Sequence, residues 1–147
     1  MSSQRIDLPA LAPEAYEAMR GLEAYIRQSG LDRRLYELIK IRASQINGCV
    51  FCLNMHTREA RALGETEQRI YALNAWQEAP YYTEKERAAL ALTEAITLVA
   101  DTRVPDEVFE AARQHFDEKE LAALIIGITT INAWNRLAIT ARVPPKD

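Results

Sequence analysis

Apolar residues recur at intervals of three and four along almost the whole 147-residue chain, and no segment keeps the strict alternation of a half-buried strand. The chain is therefore confined to packed helices. The spacing predicts seven. The first begins at Pro13, carries Tyr16, Met19, Leu22 and Ile26 on one face and stops at Gly30, with proline inside the start and glycine past the end. Asp32 can cap a second helix that runs to about Ile46, where Asn47-Gly48 interrupts it. A third runs from about Cys49 to Leu63 and ends at Gly64. A fourth lies around Ile70, Leu73 and Trp76, and another around Val108, Phe109 and Ala112. Thr83 with Glu86, and Asp117 with Glu120, are capping-box patterns that open two more.

The last of these, from about Glu118 to Ala141, differs from the rest. Leu121, Leu124, Ile125, Ile126, Ile128, Ile131, Trp134 and Leu137 spread over more than one face, the pattern of a helix buried on all sides. In a chain this small, such burial is expected to need a neighbouring subunit. The predicted architecture is an all-α, single-domain helical bundle that is oligomeric. With 48% apolar and 27% charged residues the composition is that of a globular protein able to build a core. A net charge of −3 with both signs interspersed provides no basic stripe, which argues against nucleic acid as a partner. No apolar leader is visible at the start, and no segment reads as a membrane span of roughly 20 apolar residues, so a cytoplasmic, membrane-free protein is expected.

In that reducing compartment two cysteines three apart are a reactive or metal-binding pair rather than a structural staple. Cys49, Cys52 and His56 stand at i, i+3 and i+7, within an arc of roughly 60° on a helix. Cys49, placed in the first turn, would feel backbone amides and the helix dipole, which lower a thiol pKa from about 8.5. His56, with an unperturbed pKa of about 6.5, can take the thiol proton or hold the thiolate. A disulfide between the two thiols would supply a two-electron couple with no further cofactor.

Residue types alone leave three readings open. The thiols could be small core residues. They could bind zinc, although a fourth ligand is not obvious, since His115, the only other histidine, belongs to a different helix. Or they could be redox-active. Glu37 falls at the margin of an apolar face beside Ile41, where an ordinary surface carboxylate would be unremarkable. His115 reads as a solvated C-terminal cation, and Trp134, Asn132 and Asn135 as packing and buried hydrogen-bonding groups.

The run from Glu37 through Cys49-Val50-Phe51-Cys52 to His56 resembles the core of the carboxymuconolactone decarboxylase family, and more closely its alkylhydroperoxidase D (AhpD)-like branch. That branch has a glutamate, then Cys-x-x-Cys, then a histidine four residues after the second cysteine. The segment Ile131-Asn132-Ala133-Trp134-Asn135-Arg136 is similar to the same branch. The resemblance implies an all-α bundle associating into dimers, trimers or hexamers, with Glu37, Cys49, Cys52 and His56 as catalytic residues. It implies reduction of a peroxide or a related small oxidised substrate, with electrons from a dithiol donor, protein or lipoyl-type, and neither cofactor nor metal. Cys52 would attack the peroxide, and Cys49 would resolve the product and, as the more accessible sulfur, meet the donor. Relatives carry a second histidine just before the second cysteine; here Phe51 stands there, so only the Glu37 and His56 part of a proton relay carries over. Two alternatives are a lactone decarboxylase like the family's namesake, whose members generally lack the cysteine pair, and a redox-sensing or metal-holding oligomer.

Overall fold

The structure, a computed structural model, describes residues 3–147. Among these every regular element is helical. In order they are α1 (Leu8–Leu11), α2 (Pro13–Gln28), α3 (Arg33–Asn47), α4 (Val50–Ala62), α5 (Glu67–Tyr71), a 3₁₀ turn (Leu73–Ala75), α6 (Glu84–Thr97), α7 (Val99–Thr102), α8 (Asp106–His115) and α9 (Glu118–Ala141). The caps form as their sequences predict. Asp32 accepts the Leu35 amide, and both capping boxes close, Thr83 with Glu86 and Asp117 with Glu120.

Where one helix was expected around residues 70–76, there is a short α-helix followed by a 3₁₀ turn. The reason is the spacing of Ile70, Leu73 and Trp76, which are three apart and all buried. An α-helix would drift off that line, whereas a 3₁₀ turn eclipses positions i and i+3. The one-turn helices α1 and α7 carry no buried residue, and periodicity could not foresee them.

Helices α3 and α9 are the inner pair. α9 contacts α2, α3, α4, α6 and α8, and it fully buries Leu124, Ile128 and Ile131. At 24 residues it is long and apolar enough to cross a membrane by composition, which corrects the expectation that no segment is, but here it forms the core. Its core-facing residues are covered by the chain's own helices, while Ile125, Ile126, Trp134 and Leu137 are only partly buried and Ile139 is 40% exposed. α2 is barer still: Leu22 and Tyr25 are 40% and 46% exposed, and Ile26 is its one buried residue.

α3 is enclosed on nearly every side. Leu35, Tyr36 and Ile39 join α9 and α6 in one apolar cluster, while Leu38 and Ile41 join Ala60, Leu73, Trp76 and Leu90 in another. Each fully buried aliphatic side chain contributes about 1.5–3 kcal/mol. Because both flanks are covered, the polar residues between them, Glu37, Lys40 and Ser44, are buried as well. α3 and α9 approach closely at Gly127, where an added Cβ would lie 2.9 Å from the Tyr36 ring. Glycine there seats Tyr36, whose ring lies 4.2 Å from the Lys40 ammonium.

Candidate active site

The site is organised by the junction of α3 and α4. Gly48 adopts φ +75°, a left-handed conformation that glycine enters without steric cost. The Ser44 carbonyl there accepts the amides of both Gly48 and Cys49, at 2.9 and 3.0 Å. The chain leaves this turn extended, so Cys49 is the N-cap of α4 and not a residue of its first turn. Its sulfur accepts the Cys52 backbone N–H at 3.4 Å. The expected amide stabilisation is thus present, delivered through a cap.

Both thiols are free and buried, at 1% and 3% exposure. They pack against Ala138 of α9, with Phe51 and Val143 partly covering them. The Cys52 thiol donates to the Cys49 sulfur. That bond, with the Cys52 amide, the Asn135 side chain and the charge of His56, outweighs burial and lowers Cys49 to about 7. The same shared bond, burial and the neighbouring sulfur push Cys52 far above the ordinary thiol range. The two thiols share one proton after the first is lost and titrate as a pair.

Asn135 is fully buried, and its amide donates to Ser44 Oγ at 3.0 Å while its carbonyl accepts from Asn47 Nδ2 at 2.9 Å. Asn47 also donates to Asn132 Oδ1 at 2.9 Å, and Asn132 donates to Thr97 Oγ1 at 3.0 Å. Asn132 and Asn135 are the buried hydrogen-bonding groups the sequence suggested, and Asn135 additionally tunes both sulfurs.

One turn beyond Cys52, His56 meets a charged cluster. Its Nδ1 lies 3.0 Å from Glu59 Oε2 and 3.2 Å from Glu37 Oε2. One ring proton cannot serve two carboxylates, and its direction favours Glu59; Glu37 Oε2 is buried with no hydrogen bond at all. Lys40 Nζ lies 2.7 Å from Glu37 Oε1 and 3.9 Å from Glu59 Oε2. Burial pulls His56 down, and the attraction of Glu37 and Glu59 outweighs it, leaving the imidazole above its ordinary range. Glu59, hydrogen-bonded to His56, is held below the usual carboxylate range. Donor atoms of Glu37, His56 and Glu59 lie within 4.8 Å of one another, close enough to share a cation.

A cavity of about 670 Å³ opens onto this group. Cys52, His56, Glu37 and Lys40 line it, with Phe51 and Trp134 among the apolar and aromatic walls. Cys49 does not line it, which corrects the expectation that Cys49 is the more accessible sulfur. As the N-cap it is tucked behind Cys52. Trp134 is a wall residue and not packing alone; its Nε1 donates to Glu23 Oε1 at 3.1 Å, and its ring meets Tyr16 at 5.4 Å. His115 is exposed at the end of α8, away from the site.

The four expected residues are therefore contiguous. Glu37 is not a surface carboxylate but a buried one, because α3 is covered on both flanks. Lys40 and Glu59 went unread in the sequence, although each stands three residues from a recognised member, Glu37 or His56, and so on the same helix face.

Comparison with known proteins places the chain in a family. A profile of the carboxymuconolactone decarboxylase family matches residues 12–95, a span containing Glu37, Cys49, Cys52 and His56. The uncharacterized protein YdfG of Bacillus subtilis is 50% identical over 137 residues, 93% of each chain. A crystal structure from Agrobacterium tumefaciens, of a protein of unknown function named as a candidate AhpD antioxidant-defence protein, superposes with a TM-score of 0.95 at 43% identity over 99% of both chains. An uncharacterized peroxidase-related protein from Ralstonia eutropha, described as an alkylhydroperoxidase AhpD core, shares the fold at a TM-score of 0.82 and 21% identity, covering 95% of this chain and 74% of that one. The chain belongs to the carboxymuconolactone decarboxylase family, in its AhpD-like branch.

Proposed function

We propose that the protein is a thiol-dependent peroxide reductase whose working couple is Cys49 and Cys52. The observation that carries the reading is the Cys52 sulfur at the wall of the cavity, with a pre-polarised second thiol behind it and a carboxylate-bound imidazole beside it. The first deprotonation leaves one negative charge and one proton on the pair. When the proton resides on Cys49, Cys52 is the thiolate and faces the cavity. It attacks one peroxide oxygen, the O–O bond breaks, and the departing alkoxide or hydroxide takes a proton from the His56 imidazolium. Cys52 becomes a sulfenic acid. Cys49 then attacks the Cys52 sulfur, the S–O bond breaks, water leaves, and a disulfide remains. An external dithiol, protein or lipoyl-type, reduces it by exchange and is itself oxidised to a disulfide. Entry through the cavity makes Cys52 the sulfur such a donor meets first. The cycle needs no other cofactor and suits a reducing compartment such as the cytoplasm.

Pairing of subunits through the half-exposed face of α2 is part of the same proposal. Such an association would cover Leu22 and Tyr25.

The test is stopped-flow reaction of the reduced protein with one equivalent of hydrogen peroxide or an organic hydroperoxide, followed by turnover with several dithiols. Cys52→Ser should lose the first reaction; Cys49→Ser should keep one attack and lose turnover. If Cys49→Ser alone abolished the first attack, the roles would be reversed. If neither peroxide oxidised the wild-type thiols, the peroxidase reading would be wrong.

A further inference from the structure

Three observations in the charged cluster belong together, and of these groups the peroxide chemistry uses only the carboxylate-bound His56 imidazole. First, Glu37, His56 and Glu59 direct three donor atoms at one space, all within 4.8 Å of one another. Two carboxylates and an imidazole form a set suited to a divalent cation of intermediate hardness. Second, Glu37 Oε2 has no hydrogen bond, although its side chain is 9% exposed. A buried carboxylate oxygen that accepts no hydrogen bond, with only the His56 ring edge 3.2 Å away, is costly and calls for an explanation. Third, the Lys40 side chain, only 8% exposed, brings its ammonium to 2.7 Å from Glu37 and 3.9 Å from Glu59, above the Tyr36 ring. Lys40 is held by Tyr36, which in turn is seated by Gly127 and donates its hydroxyl to Glu23 at 3.0 Å.

We propose that Glu37, His56 and Glu59 form a latent divalent-metal site that Lys40 keeps closed by supplying the cation itself. An ammonium on a side chain neutralises the carboxylates without claiming their remaining lone pairs or the imidazole nitrogen. A divalent ion would claim all three donors, and His56 bound through Nδ1 would be a ligand in place of an acid and base. Glu37 Oε2, which accepts no hydrogen bond, is the vacant donor atom that a metal would otherwise take. Introducing a second cation beside a buried ammonium is opposed by strong repulsion in a poorly solvated place. Removing the ammonium therefore opens the site.

The experiment is titration with Mn²⁺, followed by loss of the free-ion electron paramagnetic resonance signal. Mn²⁺ favours oxygen and imidazole donors over thiolates, so Cys52 does not compete for it. Lys40→Met should bind one Mn²⁺ per chain, on the order of 100-fold more tightly than the wild type. Lys40→Gln, a second neutral replacement, should do the same, and helicity by circular dichroism reports that each variant is folded. Lys40→Arg, which keeps the charge, should behave as the wild type. Adding Glu59→Gln or Glu37→Gln to Lys40→Met should abolish the gain. The proposal is overturned if the wild type binds as tightly as Lys40→Met, if both neutral variants fail to bind, or if binding survives both glutamine substitutions. None of these readouts requires peroxide turnover, so the result stands or falls separately from the peroxidase reading.

Discussion

The shared proton of the cysteine pair should be visible as a pH dependence of folding stability. In the unfolded chain both thiols have the ordinary value of 9.0, whereas in the folded protein Cys49 is lowered to about 7 and Cys52 is raised. Between pH 7 and pH 9 the folded pair therefore binds one proton and the unfolded pair two. Stability changes with pH as the difference in bound protons, unfolded minus folded, so it rises by about 1.4 kcal/mol per pH unit in this window. Across the window the gain approaches about 3 kcal/mol, an upper figure for two coupled groups. Cys49 contributes in the sense of any group with a depressed pKa: its stabilisation is complete above pH 9 and lost as pH falls through 7. Above pH 9 the unfolded pair releases both protons while the folded pair keeps one, so the sign reverses and the contribution peaks near pH 9. Urea unfolding at intervals from pH 6 to pH 10, in the presence of a non-thiol reductant, measures this. The same series on Cys49→Ser/Cys52→Ser removes the contribution of tyrosines, lysines and carboxylates. A difference between the two proteins that stays flat from pH 6 to pH 9 would refute the hydrogen-bonded thiol pair. A difference that falls over that range would mean that both thiols are buried in the protonated form.

The same geometry supports three further expectations. Replacing His56 with Gln should slow peroxide turnover by about 100-fold or more at neutral pH, because the acid for the leaving oxygen is lost; an unchanged rate with intact helicity would remove the imidazole from the mechanism. Asn135→Leu should cost about 2–3 kcal/mol in urea unfolding, since the bonds to Asn47 and Ser44 go together. It should also move the pH midpoint of iodoacetamide labelling upward, and a midpoint that does not move would deny Asn135 any hold on the sulfurs. Light scattering after gel filtration should give a mass of at least twice 16.7 kDa, reduced by Leu22→Glu; a wild-type monomer would show that α2 tolerates its exposed leucine and tyrosine.

The sequence by itself determined the fold class and most helix ends. Apolar spacing and caps are local: Asp32, Thr83 and Asp117 need only the next turn of their own helix to be satisfied, and all three act as they read. The helical spacing of Cys49, Cys52 and His56 was equally legible, since one helix and its cap decide it. What the sequence could not show was which face of α3 is covered, because that depends on α4, α6 and α9, which arrive from distant parts of the chain. Only that packing makes Glu37 a buried carboxylate and sets the Glu37–Lys40 pair of α3 against the His56–Glu59 pair of α4. The placement of the sulfurs was likewise tertiary. The left-handed turn at Gly48 puts Cys49 in the cap, and α9 sets Asn135 against the pair, so Cys52 and not Cys49 meets the cavity. Hydrophobic period is written along one helix, whereas the pairing of buried charges is set where several helices close on the same space.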